Sequence, residues 1–335
     1  MINTNAKKFI QFLVFLTLGV FLIWYTTASL SKDDIQKVKD LVLEANPLFV
    51  LPCIVILLLS HFVRALRWKM MMDQLGPKPG ILNVFLSVLV GYFLNLVFPR
   101  LGEVAKCSML GKYENMPIDK LIGTIVAERI IDLICLLLVI TITIILQFNR
   151  LGSYANELID KTLGKTSQSI NSFLLIVATI FLLVVLLYFL FKNSKWIIFI
   201  KSFFSGIKEG ILSIQKINKK GLFWGYTLLI WTFYLLSIRI GFYSLTATEG
   251  LSWTPSFSIL TFGSFAMIAT QGGVGAYQLA VQKTLSFYGI QEVTGLAFGW
   301  LLWLVQTLML LFVGPFSMAM MFVTNKKKNH NPKIF

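Results

Sequence analysis

Three ionisable residues inside an apolar stretch are the strongest chemical signal in this 335-residue chain. Glu128, Arg129 and Asp132 lie within the apolar run 121–148. Residues four apart share one face of a helix, so the two carboxylates point the same way, and Arg129 is spaced to pair with Asp132. A charge at membrane depth costs about 2.5–3.5 kcal/mol on insertion scales and usually faces a cavity or a partner. The pattern indicates either a polar binding site or an ion-pair cluster that holds helices together.

Two arginines lie in other apolar runs. Arg239 lies in the run 222–245 without a nearby acidic residue, and Arg64 lies in the run 47–68. A guanidinium suits bidentate contact with a lipid phosphate. Arg239 could instead reach the membrane interface, and Arg64 could simply be one of the basic residues that set membrane orientation.

Proline and charge interrupt one hydrophobic segment. The apolar run 81–98 is followed at once by Pro99, Arg100 and Glu103. A half-helix that starts there presents free N–H groups and the positive end of its dipole, which favour an anion. The sequence therefore predicts a hairpin broken near the membrane middle, with Arg100 and Glu103 in a binding site.

Glycines interrupt a second hydrophobic segment in the same way. The run 255–270 is followed by Gly272, Gly273 and Gly275. Glycine lets a ligand approach the backbone closely, and it equally permits tight helix packing. The run lacks the spacing of a dinucleotide fingerprint, which excludes nucleotide binding.

The elements that position these residues are transmembrane helices. The chain is 56% hydrophobic and 13% charged, against about 45–50% and about 25% in soluble domains. Several apolar runs reach about 20 residues, enough to cross a membrane. We expect an all-α polytopic membrane protein with two broken hairpins and six full spans, at residues 9–28, 47–68, 121–148, 170–191, 222–245 and 292–323.

Charge in the loops predicts the orientation. Most Lys and Arg residues fall in loops on one side of these spans, so both termini are expected in the cytoplasm and the protein in the inner membrane. The formal charge of +15 is then a topology signal, with some affinity for anionic lipid, and not a sign of nucleic-acid binding.

The order of segments predicts an internal repeat. Residues 1–169 and 170–323 each read span, span, hairpin, span, with opposite orientation, and 324–335 form a basic tail. Interrupted segments in matching positions of inverted halves indicate a transporter site. We therefore expect one membrane domain over residues 1–335, an inverted repeat of four plus four segments.

Several shorter motifs give weaker indications of structure or function. Ser31 is spaced to cap a short outer helix together with Asp34, and a second amphipathic helix is expected on the cytoplasmic surface at 197–214. Asp33 and Asp34 also match the acidic pair of membrane glycosyltransferases. His61 is a lone histidine within a span, and neither the histidines nor the three cysteines have the spacing of a metal site or a disulfide framework.

Three motifs in order along the chain resemble the lysylphosphatidylglycerol synthase transmembrane family, which includes the flippase-like domain of MprF and the YbhN-like membrane proteins. They are the stretches 95–106, 123–132 and 272–275. The resemblance adds Asn95 and Lys106 to Arg64 and Pro99 as secondary site residues, with Lys106 standing where arginine is common. It also adds Gln278, which stands where the family often has Glu.

The resemblance implies a flippase-like transporter that moves a phospholipid or polyprenyl-linked lipid between leaflets. After residue 323 only the basic tail follows, so we expect no lysylphosphatidylglycerol synthesis and no catalytic residues. We expect neither a metal nor a cofactor, and the sequence shows no ATP-binding motif. A lipid-modifying enzyme or glycosyltransferase is an expected partner. The alternatives are a membrane-embedded transferase acting on a lipid-linked substrate, and a scaffold without catalytic activity.

Overall fold

The computed structural model describes residues 4–28, 30–76, 78–98, 101–148 and 217–326, and for residues 4–15 the backbone only. These ranges form α-helices joined by short turns, and no strand occurs among them. The helices are α1 (Thr4–Ala28), α2 (Lys32–Leu43), α3 (Pro47–Met72), α4 (Ile81–Val97), α5 (Leu101–Glu114), α6 (Ile118–Leu146), α7 (Lys220–Gly241), α8 (Thr254–Ala269), α9 (Ala276–Ser286) and α10 (Glu292–Asn325). The prediction of an all-helical membrane protein is confirmed.

Four described helices are long and apolar enough to cross a membrane: α3, α6, α10, and α7 with its short extension to Ser244. They match four predicted spans within a few residues. The first predicted span falls on α1, whose described apolar part is Leu16–Ala28. The span 170–191 and the amphipathic helix 197–214 lie outside the described residues, so the total of six spans stays a prediction.

Both predicted interruptions are present. α4 ends at Val97 and α5 begins at Leu101, and α8 ends at Ala269 before α9 begins at Ala276. In each case the two arms pack on each other. Re-entry of these hairpins into a membrane, and the inverted relation of the halves 1–169 and 170–323, stay predictions.

Helix α10 is the most enclosed of the four long helices. Half of the apolar 18-residue stretch of α10 is buried, whereas the corresponding fraction for α6 is 22%. The reason is that α10 packs against α4, α9 and α2. Glycines make the close approach possible. Gly299 faces the backbone of Gln278, and Gly314 faces the ring of Phe93. Small residues at helix crossings are the usual way in which membrane helices pack closely.

The short helix α2 begins with the predicted capping box. The Ser31 hydroxyl accepts from the Asp34 backbone N–H at 3.0 Å, and the Asp34 carboxylate accepts from the Ser31 backbone N–H at 3.2 Å. The Ser31 hydroxyl also donates to the Asp34 carboxylate at 2.7 Å. This bond, together with the one from the Ser31 backbone N–H, lowers the pKa of Asp34 below its ordinary value of 3.8. The acidic residue therefore has a capping role in this structure.

Candidate functional site

A buried ion cluster joins α3 and α6. Glu128 and Asp132 share one face of α6, as predicted, and the guanidinium groups of Arg64 and Arg67 on α3 lie opposite them. Arg64 donates to Glu128 at 2.8 Å and to Asp132 at 2.6 Å. Arg67 donates to Glu128 at 3.2 Å and to Asp132 at 2.7 Å. Each carboxylate is therefore shared by two arginines, which offsets the cost of burying the charges.

A third base reaches Glu128 from the first hairpin. Lys106 on α5 donates to the Glu128 Oε2 atom at 3.3 Å, and its ammonium lies 4.3 Å from the centre of the Trp68 ring. The Trp68 indole N–H in turn donates to the Thr124 hydroxyl at 2.8 Å. Glu128 and Arg67 are completely buried. Lys106, predicted as a secondary site residue, is therefore part of the cluster, and it links α5 to α3 and α6.

The partner of Arg129 differs from the predicted one. Its Nε donates to Glu103 on α5 at 2.8 Å, and both side chains are partly exposed. The predicted pairing with Asp132 is wrong, because the Asp132 carboxylate binds the two arginines of α3. No described residue accepts a hydrogen bond from the two Nη groups of Arg129.

The charges of the described cluster do not cancel. Its bases are Arg64, Arg67, Lys106 and Arg129, and its acids are Glu103, Glu128 and Asp132. Four positive groups against three negative groups leave one positive charge. The cluster can therefore accept one anion without building up negative charge.

A cavity of about 860 Å³ adjoins the cluster. Ligand cavities of globular proteins measure about 300–1,000 Å³. The described residues that line the cavity belong to α3, α4, α6, α7, α8, α9 and α10, and most of the lining is apolar. Arg64, Arg129 and Asp132 form its charged wall, and Tyr234, which accepts from Arg64 at 3.1 Å, lies beside them.

Three buried nitrogen atoms on the cavity wall have no partner among the described residues: His61 Nδ1, Arg64 Nε and Trp231 Nε1. An arginine Nε–H and an indole N–H can only donate. A buried donor without an acceptor costs about 1–3 kcal/mol. The wall is therefore suited to a ligand rich in acceptor oxygens.

The two helix interruptions meet at Asn95. Its side-chain oxygen accepts from the Gly102 N–H at 2.9 Å, and its backbone oxygen accepts from the Gln271 amide at 2.7 Å. The Trp303 indole also donates to the Gly272 carbonyl, at 2.8 Å. The structure thus brings the breaks together, and it shows that protein groups satisfy several of the freed backbone atoms.

The glycines of the second break serve close packing in this structure. Gly272, Gly273 and Gly275 have φ values of 59°, 75° and 74°. A side chain at Gly275 would meet the Gly19 carbonyl of α1, and one at Gly273 would meet Met267 and Tyr277. Met267 and Tyr277 line the cavity, so the glycine turn supports the cavity wall from behind.

Other predicted site residues lie elsewhere. Arg239 donates to the Tyr243 hydroxyl at 2.8 Å, its guanidinium lies 5.9 Å from the Trp253 ring, and it is not among the cavity residues. Gln278 is 1% exposed, and its amide atoms have no partner within the described part of the chain. Pro99 and Arg100 lie outside the described residues.

Arg67 is a site residue that the sequence prediction did not include. Arg67 lies at the end of a predicted span, where basic residues usually only set the orientation in the membrane. In the structure it is fully buried between the two carboxylates. A signal was available in the spacing: Arg64 and Arg67 are three residues apart, so a helix presents both on one face. Two buried carboxylates on a neighbouring span need such a paired counter-charge. His61, Tyr234 and Trp231 carried no comparable signal, because single aromatic residues are common in membrane helices.

The fold and the buried cluster are those of a multi-pass membrane protein. The chain belongs to the lysylphosphatidylglycerol synthase transmembrane-region family, whose model matches residues 9–314.

Curated relatives are UPF0104 membrane proteins of archaea. The chain is 28% identical over 111 residues to one from Methanocaldococcus jannaschii, which covers 32% of this chain and 33% of the relative. It is 26% identical over 132 residues to one from Pyrococcus horikoshii, covering 38% and 37%. A third, from Methanothermobacter thermautotrophicus, is 27% identical over 112 residues, covering 32% and 33%. The matches thus span about a third of the length of each relative. No solved structure matches the chain.

Proposed function

We propose that this protein moves a lipid with an anionic headgroup between the leaflets of the cytoplasmic membrane. One observation carries the proposal: a cluster with one excess positive charge borders an 860 Å³, mainly apolar cavity between helices that can span a membrane. A charged headgroup needs such a compartment to cross hydrocarbon, because an unpaired charge there is costly.

The cavity wall supplies matched groups for a phosphate. The Nη groups of Arg129, the Nε–H of Arg64 and the indole N–H of Trp231 are donors without an acceptor in the described structure. Asp132, with 14% of its side chain exposed, can bind a cationic amine of the same headgroup. Guanidinium groups suit phosphate because they offer several N–H groups in one plane.

The acyl chains need not enter the polar part. Ile268 lines the cavity and is 72% exposed on the outside of α8. The apolar wall there extends towards the surface that faces lipid. We propose that the headgroup occupies the cavity while the acyl chains stay in the bilayer.

Movement of the two hairpins would give alternating access. The breaks meet at Asn95, and discontinuous helices at the centre of inverted halves are typical of rocking transporters. With both termini in the cytoplasm, the arms rich in basic residues face the inner leaflet. Energy coupling would come from an ion gradient or a partner, or the protein would equilibrate the leaflets passively.

The test is leaflet exchange by the purified protein in liposomes of phosphatidylethanolamine and phosphatidylglycerol. The probes are tail-labelled fluorescent phosphatidylglycerol and a fluorescent polyprenyl phosphate, with dithionite reduction of the outer leaflet as the readout. We expect exchange of at least one probe, and a loss of at least about tenfold in Arg129→Gln and Asp132→Asn, which corresponds to about 1.4 kcal/mol.

Lys283→Gln is the matched control, because it removes a base from the exposed Lys283–Glu292 pair, neither residue of which lines the cavity. Its exchange rate should equal that of the unaltered protein. Exchange absent with every probe would overturn the proposal. Recovery of chemically altered lipid would replace it by the transferase alternative.

A further inference from the structure

A second, smaller cavity lies beyond the ion cluster. It measures about 350 Å³. The described residues that line it are Met71 of α3, Gln74 and Leu75 in the turn after α3, Lys120, Gly123, Thr124 and Ala127 of α6, and Ile217 before α7. These residues occupy the end of α3 and the starts of α6 and α7. The loops at these ends carry the basic residues that assign them to the cytoplasmic side.

Along α3 and the turn that follows it, a layer of buried residues lies between the two cavities. His61 and Arg64 line the large cavity, and Met71 and Gln74 line the small one. Arg67, between them, is fully buried, as is its neighbour Trp68.

The same order recurs on α6 and α7. On α6, Asp132 lines the large cavity and Thr124 the small one, with Glu128 fully buried between them. On α7, Trp231 lines the large cavity, whereas Phe223 nearer the small cavity is fully buried. Three helices therefore place a sealed layer at the same level.

The sealed layer has a polar and an apolar part. Arg67 connects the carboxylates of α6 to the Thr227 hydroxyl of α7, to which it donates at 3.4 Å. Below this contact Phe223 packs in an apolar cluster with Met71, Ala127, Ile131 and Ile217. Arg67, Thr227 and Phe223 are all buried, at 0%, 2% and 0% exposed.

We propose that this layer, defined by Arg67, Glu128, Thr227 and Phe223, is the closed cytoplasmic gate of a headgroup path whose two ends are the two cavities. The inference rests on the proposed function, and it gives Arg67 and Phe223 a role separate from headgroup binding. The headgroup of an inner-leaflet lipid then binds in the small cavity, next to Lys120, before the gate opens.

The arrangement of charges permits the gate to open. When Arg67 withdraws, Glu128 keeps Arg64 and Lys106, and Asp132 keeps Arg64. No carboxylate is left without a base, so opening avoids the large cost of an uncompensated buried charge. Arg67 itself would enter the small cavity.

Thiol labelling from each side of the membrane tests the gate without measuring transport. In a chain whose Cys53, Cys107 and Cys135 are replaced by alanine, Ser264→Cys reports on the large cavity and Gln74→Cys on the small one. Both positions line their cavities and are not fully buried. A charged, membrane-impermeant thiol reagent is applied to inside-out vesicles, which present the cytoplasmic face.

With the gate intact, Gln74→Cys should react in these vesicles and Ser264→Cys should not. Adding Phe223→Ala, which leaves every ion pair in place, should raise the rate of Ser264→Cys at least tenfold, and Arg67→Gln should do the same. Phe262→Ala is the control, because Phe262 is 48% exposed on α8 and lies outside the sealed layer. An unchanged reaction of Gln74→Cys in each variant verifies folding.

Fast labelling of Ser264→Cys without any substitution in the gate, or no change with Phe223→Ala and Arg67→Gln, would overturn the gate. If leaflet exchange is present while labelling is unaltered, the gate fails and the transport proposal stands. If labelling shifts as expected while exchange is absent, the gate stands and transport fails.

Discussion

Replacing Glu128 by glutamine removes the carboxylate around which three bases are arranged. Arg64, Arg67 and Lys106 lie 2.8, 3.2 and 3.3 Å from its oxygens, and the side chain is fully buried. A glutamine carbonyl in the Oε1 position can still accept from Arg64 and Arg67, but the amide group then takes the Oε2 position and presents its own donors to Lys106. In Glu128→Gln, the buried bases therefore lose charge compensation and acceptors together.

The size of the effect follows from this burial. Breaking a buried ion pair from one side costs about 3–5 kcal/mol. At about 1.4 kcal/mol per factor of ten, the unfolding equilibrium should shift by about a hundredfold to a few thousandfold. We expect the lower end, because Asp132 still holds both arginines.

Glu103→Gln is the matched control. It removes the same chemical group from the Glu103–Arg129 pair, whose side chains are 34% and 42% exposed. Exposed pairs contribute about 0–1 kcal/mol, so this variant should remain within about 1 kcal/mol of the unaltered protein. A double variant, Glu128→Gln with Lys106→Met, restores the charge balance and should recover about 1–2 kcal/mol.

The assay is reversible unfolding in mixed detergent micelles, followed by tryptophan fluorescence during titration with sodium dodecyl sulfate. The free energies of unfolding of the four proteins are compared under one condition. Equal losses in Glu128→Gln and Glu103→Gln would show that burial has no bearing on the strength of these pairs.

Three further predictions concern the supporting elements. Gly275→Ala should destabilise the protein by clearly more than Gly289→Ala in the same unfolding assay, because both have positive φ but only Gly275 lies against another helix; equal losses would contradict the close approach of α1. Asn95→Ala should cost about 1–3 kcal/mol, because the Gly102 N–H loses its acceptor, and a neutral result there would show that water replaces the side chain. Ser31→Ala should lower hydrogen-exchange protection in α2, and since the pKa of Asp34 is depressed, the protection of α2 in the unaltered chain should persist above pH 3.8 and fall only at lower pH. Loss of protection well above that pH would contradict the role of the cap.

The sequence predicts the helices and the breaks because those signals are local. Apolar runs of membrane-spanning length and the glycines at 272–275 mark where helices run and stop, and the structure matches them. The capping of α2 is equally local, since Ser31 and Asp34 are three residues apart. Features of this kind need no knowledge of neighbouring helices.

The partners within the site depend on how helices cross, and the sequence does not carry that information directly. Arg129 was expected to bind Asp132 on its own helix, yet it binds Glu103 on α5. The glycines at the second break are compatible both with close approach of a ligand and with tight packing, and the structure shows α1 packed against Gly275. Both contacts come from distant parts of the chain, which local spacing does not reveal.

Photocrosslinking shows whether a lipid headgroup occupies the large cavity. The photoreactive residue p-benzoylphenylalanine is placed at Trp231, which lines the cavity, and at Trp224 on the same helix, which is 45% exposed. After irradiation of native membranes, tandem mass spectrometry locates the crosslinked carbon on the lipid. Headgroup or glycerol adducts at position 231, with acyl-chain adducts at position 224, are the predicted result. Acyl-chain adducts at both positions, or no lipid adduct at position 231, would contradict the account.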